Sequence, residues 1–157
     1  MKRRIRALVM DVDGTLTDGG IYIGASGEVM KRFFVRDGMA IKHFLPKHGI
    51  VPIVITGRES EIVARRCAEL DIRHLIQGSE DKLRDLTTAL SGLGISPEET
   101  AYIGDDVNDL ECMRTVGVAA CPYDADQCVV DIADYVAKAP GGRGAVREFI
   151  EWLGDQL

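Results

Sequence analysis

Long hydrophobic runs are absent from this sequence. Residues 1–6 are basic, but they lead into only a short apolar run, at 7–10, which ends at Asp11. A secretory signal needs a longer apolar stretch, and a helix that spans a bilayer needs about 20 apolar residues. The start of the chain therefore predicts neither a signal peptide nor a membrane anchor, and we expect a cytoplasmic protein with no membrane partner.

Closely spaced cysteines are also absent. The chain has four cysteines: Cys67, Cys112, Cys121 and Cys128. None forms a Cys-x-x-Cys pair and none has a flanking histidine, which argues against a zinc site and against a disulfide framework. We expect four buried free thiols.

Positive charge is scarce relative to negative charge. The chain has 19 Lys and Arg against 25 Asp and Glu, and its formal net charge is −6. Nucleic acids and anionic membranes require a basic surface, so neither is an expected partner. An anionic small molecule would need a local cluster of cations, and a metal ion, to offset this acidic background.

Breaks in composition are absent as well. No long Pro- or Ser-rich linker, internal repeat or low-complexity segment divides the 157 residues. With 46% hydrophobic residues, a chain of this length can bury a proper core. We expect one domain over residues 1–157.

Apolar runs alternate with segments of helical periodicity along most of the chain. Strands are predicted at 5–10, 50–55, 74–76, 101–103, 116–120 and 135–137. Helices are predicted at 38–48, 60–70, 81–93, 108–115, 124–132 and 145–153. This alternation is typical of a parallel sheet covered by helices, so the predicted fold class is α/β, a Rossmann-like three-layer sandwich.

One segment, at about 20–36, interrupts the alternation. Two β-rich arms flank a turn of small residues, Gly24-Ala25-Ser26-Gly27, which is the pattern of a β-hairpin inserted after the first strand. A lone hairpin is only marginally stable in water. We therefore expect this hairpin to pack on another surface.

Two carboxylates, Asp11 and Asp13, stand directly after the first predicted strand. Ligands of open α/β sheets bind at the carboxyl ends of the strands, where the chain leaves the core. These residues alone leave open a structural turn, a calcium-binding loop and a phospho-receiver site. The residues that follow, Thr15, Leu16 and Thr17, do not continue the pattern of an EF-hand.

Polar residues recur at three later positions of the same kind. Thr56 and Gly57 follow the second strand, and Lys82 lies in the first turn of a predicted helix. The fourth strand is followed by Asp105, Asp106, Asn108 and Asp109. Each group alone is compatible with a turn, a solvated charge or a helix cap. That all of these groups occur together in this order by chance is much less probable than that any one of them does.

In these residues the chain resembles the haloacid dehalogenase superfamily of phosphohydrolases. The four motifs of that superfamily match as Asp11-x-Asp13-Gly14-Thr15, Thr56, Lys82 and Gly104-Asp105-Asp106-x-Asn108-Asp109. The resemblance implies phosphoryl transfer, with Asp11 as the nucleophile that forms an aspartyl-phosphate and Asp13 as the acid and base.

The resemblance also implies a phosphate site and a metal site. Thr56 and Lys82 would hold the phosphate, and Mg²⁺ would be bound by Asp11, by the backbone carbonyl of Asp13 and by Asp105. Three residues would support this shell, and the last of them would orient Lys82: Asp106, Asn108 and Asp109.

The short segments between the motifs restrict the resemblance to the capless branch of the superfamily, whose members lack the separate cap domain that closes over the substrate in most other members. Neither the gap after Asp13 nor the gap after Thr56 has room for a separate cap domain, so only the hairpin is available. In that branch such hairpins assemble homotetramers, and neighbouring subunits complete the active site. The resemblance therefore implies a homotetramer formed through the hairpin.

Within that branch the chain resembles phosphatases of 3-deoxy-D-manno-octulosonate 8-phosphate, a sugar acid phosphate on the pathway to lipopolysaccharide. The substrate-binding residues implied are Asp13, Phe34, Val35, Arg36, Asp37, Gly38, Lys42, Thr56, Gly57, Arg58, Arg66, Lys82 and Arg143. Arg58 suits a bidentate ion pair with the substrate carboxylate. The tail at about 140–157 contains Gly141-Gly142-Arg143-Gly144, and we expect this basic segment to reach a neighbouring subunit's site.

Two alternatives stay open at this point. The first is a phosphatase of a nine-carbon 2-keto-3-deoxy sugar acid 9-phosphate, although such enzymes tend to carry Glu at the position of Arg58. The second is a non-catalytic receiver or oligomerisation domain. A receiver places its acceptor Asp at the end of the third strand, where this chain has Gln77 and Gly78, and an inactive domain usually loses the nucleophile.

Overall fold

The computed structural model describes residues 4–157 and places a six-stranded parallel sheet at its centre. The strands of the chain are β1 (Ala7–Met10), β2 (Tyr22–Gly24), β3 (Gly27–Met30), β4 (Val51–Ile55), β5 (His74–Ile76), β6 (Thr100–Ile103), β7 (Val118–Cys121) and β8 (Tyr135–Val136). The sheet has the order β5-β4-β1-β6-β7-β8, and β2 and β3 form a separate antiparallel pair. Residues 1–3, where the predicted domain begins, lie outside the described residues.

Helices connect the strands. They are α1 (Val35–Met39), α2 (Glu61–Glu69), α3 (Lys82–Leu93), α4 (Leu110–Thr115), α5 (Gln127–Val130) and α6 (Ala145–Gln156). The first helix begins three residues before its predicted start, continues through irregular turns at 40–48, and ends at Gly49 in the left-handed conformation. The helix predicted at 124–132 is shorter than expected because Asp126 caps it at Cys128 N.

The alternation of side chains along the strands produces two cores. Leu8 and Met10 of β1 face one side of the sheet, where α2 and α6 pack on them. Ala7 and Val9 face the other side, against α3, α4 and α5. Strands buried on both faces are what a parallel sheet between two helix layers requires. The predicted three-layer α/β sandwich is confirmed.

The hairpin formed by β2 and β3 is the insertion that the sequence predicts. Its two turn residues, Ala25 and Ser26, are followed by Gly27, whose φ of 117° favours glycine. A shift in the pairing register lies between Tyr22 and Ile23. Its apolar side chains are unusually exposed: Ile23 is 70% and Val29 is 61% accessible. Of the residues described, 4–157, none forms a cap domain over the sheet.

The four cysteines are free, as predicted. Cys67, Cys112 and Cys121 are buried, and burial raises the pKa of each thiol to about 11 or 12. Cys128 is only partly buried, which corrects the expectation of four buried thiols. In the part of the chain that is described, no helix is long and apolar enough to cross a bilayer.

Candidate active site

The chain leaves β1 through the Asp-x-Asp loop, which comprises Val12–Leu16 and follows Asp11. Asp11 N donates to Ile103 O on β6 (3.1 Å), so the loop starts between two central strands. Gly14 has a φ of 93°, and a Cβ there would lie 2.1 Å from Asp105 Oδ2. Glycine is therefore needed to bring the loop against the acids that follow β6.

Asp11 and Lys82 form a buried ion pair at this edge of the sheet. Lys82 begins α3 and donates from Nζ to Asp11 Oδ1 (2.7 Å) and to Asp109 Oδ1 (2.8 Å). Burial alone would lower the pKa of Lys82, but the charges and hydrogen bonds of the two aspartates raise it above its ordinary value. Lys82 is therefore a fixed cation beside Asp11.

Asp109 holds this cluster together through both of its carboxylate oxygens. Besides Lys82, its Oδ1 accepts from the Tyr102 hydroxyl (2.6 Å), and its Oδ2 accepts from the backbone N–H groups of Asp105 (3.0 Å) and Asp106 (3.3 Å). Close approach of its side chain depends on Gly104, where a Cβ would lie 2.4 Å from Asp109 Cγ. Both carboxylate oxygens thus accept hydrogen bonds from the protein, and the supporting contribution expected of this residue stays a prediction.

The acidic cluster fits a divalent cation. Asp11, Asp105 and Asp109 each offer an oxygen, and these oxygens lie within 4.8 Å of one another. Burial, with the charge of Asp109, raises the pKa of Asp11 despite the opposing effect of Lys82. Burial and the adjacent Asp11 raise the pKa of Asp105 to about 8. Two adjacent buried acids of this kind bind a proton or a metal ion, and Mg²⁺ prefers carboxylate oxygens.

Asp13 has a partner that the sequence interpretation missed. Lys31, just beyond β3, donates to Asp13 Oδ1 (2.5 Å), and its side chain is 1% exposed. Lys31 also pairs with Glu28 Oε2 (3.1 Å), and Glu28 Oε1 accepts from the Ser60 hydroxyl (2.5 Å). The hairpin therefore packs against the active site of its own chain. The spacing of Glu28 and Lys31, with two residues between them, is the only sequence signal for these contacts, and it is a weak one.

Thr56 and Arg58 follow β4, as predicted. Thr56 is buried, and its backbone N–H donates to Ile76 O on β5 (2.9 Å). Gly57 and Arg58 are exposed, and Arg58 Nη2 lies 4.0 Å from Glu28 Oε2. The end of β4 thus meets the Asp-x-Asp loop through the hairpin.

The remaining acids after β6 lie at the rim of the cluster. Asp106 Oδ1 accepts from Val107 N (2.7 Å) and so caps the 3₁₀ turn Val107–Asp109. Asp106 and Asn108 are exposed. Their place beside Asp105 agrees with a supporting position rather than with contact to the Asp11–Lys82 pair.

Asp37, a predicted substrate-binding residue, is buried and caps α6. Its Oδ1 accepts from Arg147 N (2.9 Å), while its Oδ2 has no partner among the described residues. Burial raises the pKa of Asp37 to about 6, against the lowering effect of the backbone N–H groups of Arg147 and Gly144. The structure therefore gives this carboxylate a packing contact that the sequence did not predict.

Two more of the predicted substrate residues use their cations within the protein. Arg66 stacks over the Phe33 ring (5.6 Å) and pairs with Glu69 Oε2 (3.1 Å), and Gly38 leaves it the necessary space. Lys42 donates to Glu69 O (2.7 Å), at the carboxyl end of α2. Because α2 starts at the carboxyl end of β4 and runs back along the sheet, Lys42 does not join the Asp11–Lys82 pair.

A second surface gathers the other predicted residues. Phe34, Arg36 and Arg143 line an open concavity of about 330 Å³ beside the start of α6. Val35, next to them, is 75% exposed. These side chains face outward, so within one chain the predicted substrate residues divide between the Asp11–Lys82 edge and this concavity.

The Gly-Gly segment before α6 packs on the Asp-x-Asp loop of its own chain. Gly142 N donates to Thr15 O (3.0 Å), and Gly141 N donates to Asp124 Oδ1 (2.9 Å). A Cβ on Gly141 would lie 1.8 Å from Gly14 O. Within one chain the two glycines are therefore held against the loop, and Arg143 is the only exposed residue of the segment 141–144, so the reach of this segment to a neighbouring subunit stays a prediction.

The comparisons with known proteins agree with this geometry. Residues 28–117 match the family model of haloacid dehalogenase-like hydrolases. The chain belongs to this family. The 3-deoxy-D-manno-octulosonate 8-phosphate phosphatase KdsC of Escherichia coli (strain K12) is 46% identical over 149 residues, which are 95% of this chain and 79% of that protein.

Solved structures of similar proteins have the same fold. The chain superposes on the 3-deoxy-D-manno-octulosonate 8-phosphate phosphatase from Yersinia pestis with a TM-score of 0.94 and 42% identity, over 98% of this chain and 83% of that one. The phosphatase of the same name from Moraxella catarrhalis, solved in complex with magnesium, phosphate and KDO, superposes with a TM-score of 0.94. The two sequences are 40% identical, and the match covers 98% of this chain and 88% of that one. The predicted membership of the superfamily and the predicted hydrolase activity are confirmed.

Proposed function

We propose that this enzyme hydrolyses 3-deoxy-D-manno-octulosonate 8-phosphate to the free sugar acid and phosphate. The observation that carries the proposal is the buried Asp11–Lys82 pair beside Asp105, with Asp13 on the same loop. It occurs in a chain 46% identical to a phosphatase of that substrate over nearly its whole length.

Asp11 is the nucleophile of the proposed reaction. Its carboxylate oxygen attacks phosphorus as the ester P–O bond breaks, and the proton on Asp13 passes to the departing sugar oxygen. Water then attacks phosphorus of the aspartyl-phosphate and gives a proton to Asp13, while the bond between phosphorus and the Asp11 oxygen breaks, which releases phosphate and restores the Asp11 carboxylate. Lys82 reduces the repulsion between Asp11 and the anionic phosphate, and the Thr56 hydroxyl holds a phosphate oxygen.

Mg²⁺ is the cofactor that the acidic site fits. Asp11 and Asp105 would hold it through side chains and Asp13 through its backbone carbonyl, while Asp109 keeps Lys82 and the loop of Asp105 in place. When bound, the ion neutralises charge on the phosphoryl oxygens. Asp106 and Asn108 would support this shell from the rim.

Specificity for the sugar acid is proposed to come from Arg58 and from a neighbouring subunit. Arg58 is exposed at the end of β4, where it can pair with a carboxylate. The concavity with Phe34, Arg36 and Arg143 is open on the surface and is lined by three arginines beside Glu148 and Glu151, so another subunit could place its exposed arginines over the distal end of the substrate. Asp37, Gly38 and Arg66 would then shape this surface from within.

We also propose that the chain forms a homotetramer through its hairpin. Ile23, Val29 and Met30 are more than half exposed on a hairpin that has already used its polar residues on its own subunit. An apolar edge of this kind pairs with another chain. We further propose a single domain over residues 1–157, located in the cytoplasm, where free thiols such as those of this chain persist.

The experiment that tests the function is phosphate release across a panel of sugar phosphates. With Mg²⁺ present, the eight-carbon 8-phosphate should have the highest kcat/KM, above the nine-carbon 9-phosphate, and EDTA should stop turnover. Arg58→Ala and Arg143→Ala should each lower kcat/KM for the sugar acid phosphate more than for p-nitrophenyl phosphate. A higher kcat/KM for the nine-carbon substrate would overturn the assignment in favour of that alternative.

A further inference from the structure

Lys31 occupies an unusual position for a lysine of a hairpin. It follows β3 directly, yet its side chain is only 1% exposed. Its ammonium contacts two carboxylates, Asp13 Oδ1 at 2.5 Å and Glu28 Oε2 at 3.1 Å. Burying an ammonium is costly unless it is paired, so these two contacts determine where the side chain lies.

Glu28 links Lys31 to the start of α2. Its other oxygen, Oε1, accepts from the hydroxyl of Ser60, the N-cap residue of α2. This hydrogen bond, together with Lys31, lowers the pKa of Glu28, so Glu28 stays ionised. Burial opposes the charge on Lys31, but the hydrogen bonds and charges of Asp13 and Glu28 raise its pKa above the ordinary value.

Each carboxylate of the Asp11-x-Asp13 pair therefore has its own lysine. Lys82 of α3 contacts Asp11, and Lys31 of the hairpin contacts Asp13. The two lysines come from different elements and share no carboxylate. The contact to Asp13 depends on how the hairpin docks, whereas the contact to Asp11 is set within the parallel sheet and α3.

We propose that Lys31 is a positioning residue for Asp13. By holding Oδ1, it turns the other oxygen of Asp13, Oδ2, toward the sugar oxygen that departs from phosphorus, and Glu28 fixes Lys31 against Ser60. This inference rests on the proposed phosphatase activity. A carboxylic acid that donates a proton must be aligned with the leaving oxygen. Among the described residues, Lys31 is the only partner of the Asp13 carboxylate, so it alone can align this side chain.

The dependence of rate on the leaving group distinguishes positioning from a purely structural contribution. Expulsion of p-nitrophenolate needs little protonation, whereas expulsion of an alkoxide needs a well-placed acid. We expect Lys31→Met to lower kcat/KM by about 10²-fold for alkyl phosphates but by less than about 5-fold for p-nitrophenyl phosphate. A plot of log kcat/KM against the pKa of the leaving group should therefore be steeper for the variant.

The experiment measures this plot for wild type, Lys31→Met, Lys31→Arg and Lys47→Met with a series of aryl and alkyl monophosphates. Lys31→Arg should restore most of the wild-type slope because the cation returns, and Lys47→Met should match wild type because Lys47 lies over Phe44, away from the site. These substrates lack a sugar-acid carboxylate, so a contribution to sugar-acid binding does not affect them.

Parallel plots for wild type and Lys31→Met would overturn the inference. If Lys31→Met does not fold, Glu28→Gln replaces it in the experiment. This variant removes the second ion pair of Lys31, so the plot should again be steeper than that of wild type. If wild type releases no phosphate from any monoester with Mg²⁺ present, the proposed function itself fails, which separates the two outcomes.

Discussion

Lys82 is the residue on which the charge balance of the active site depends. Its ammonium lies between Asp11 and Asp109, and all three side chains are at most 8% exposed. Removing one partner of a buried ion pair leaves an uncompensated charge, which costs about 3–5 kcal/mol. In the proposed reaction the same cation is available to a bound phosphate, so we expect stability and turnover both to depend on it.

We predict that Lys82→Met lowers the free energy of unfolding by about 3 kcal/mol at pH 8 and reduces kcat more than about 10²-fold. Urea titration and phosphate release measure the two effects. Lys47→Met, which removes an exposed lysine, is the matched control and should change stability by less than about 1 kcal/mol. Near-normal turnover by Lys82→Met would contradict the proposal that Lys82 reduces the repulsion between Asp11 and the phosphate.

In the proposed metal site, Asp105 would connect Mg²⁺ binding to pH. Its pKa in the metal-free fold, about 8, lies above the ordinary value of 3.8, so the folded protein retains a proton that the unfolded chain has already released. The contribution of Asp105 to stability is therefore fully present below about pH 4 and is lost as the pH rises through about 8. In the proposed metal site, a bound Mg²⁺ would replace this proton.

We predict that Mg²⁺ raises Tm more at pH 8 than at pH 6, because fewer protons compete with the ion at the higher pH. Thermal melts with and without Mg²⁺ at both pH values measure the difference. Asp105→Asn, which removes the titrating group, should abolish most of the Mg²⁺-dependent shift. A larger shift at pH 6 would show that proton release from Asp105 is not coupled to metal binding.

At the scale of elements, the turn before α6 braces the Asp-x-Asp loop. Gly141 and Gly142 approach the backbone of Gly14, Thr15 and Thr17 so closely that no side chain fits. Asp124 holds Gly141 from the other side. The loop that carries Asp13 is thus fixed by a segment more than 120 residues later in the chain.

We predict that Gly141→Ala displaces the loop, because its Cβ would lie 1.8 Å from Gly14 O. The variant should lose at least about 2 kcal/mol of stability and a larger share of its kcat than this loss of folded protein explains. Gly92→Ala in α3 is the matched control, since its Cβ meets nothing within 4 Å, and it should be neutral or stabilise by up to about 1 kcal/mol. Equal behaviour of the two variants would contradict the bracing contact.

The elements also show how far sequence reasoning reaches. The strands, and the polar residues that follow them, could be predicted because the apolar runs and the motif spacings are local. The convergence of Asp11, Lys82 and Asp105 then follows from the parallel topology, since the carboxyl ends of β1 and β6 share one edge of the sheet.

The contacts that sequence reasoning missed depend on docking between distant segments. The pairing of Lys31 with Asp13 requires the hairpin to fold back onto its own subunit, and the alternation pattern of its strands does not specify that direction. Asp37 as a cap of α6 and Gly141 against Gly14 likewise join segments that are far apart in the chain. Apart from the weak signal in the spacing of Glu28 and Lys31, periodicity and motif spacing do not indicate which distant segments make such contacts.

At the scale of the whole molecule, the hairpin divides its residues between two functions. Glu28 and Lys31 turn toward the active site, while Ile23 and Val29 are exposed on a surface that a single subunit leaves uncovered. This division would allow one element to complete its own site and to join subunits in the proposed tetramer.

We predict that Ile23→Asp reduces the molar mass in solution from that of a tetramer, because a charge disfavours burial of the hairpin edge. Size-exclusion chromatography with light scattering measures the mass. Val136→Asp, at another exposed apolar position, is the control and should stay tetrameric. A wild-type protein that is a fully active monomer would refute the proposed assembly.

The most direct test of the account is phosphate release by Asp11→Asn with Mg²⁺ present. The substituted side chain would keep nearly the shape of the site, and Lys82 would still pair with Asp109, but an amide cannot form an aspartyl-phosphate. We predict that the variant folds with a Tm close to or above that of the wild type and that its kcat for 3-deoxy-D-manno-octulosonate 8-phosphate falls more than about 10³-fold. Turnover within about tenfold of the wild type would contradict catalysis through Asp11.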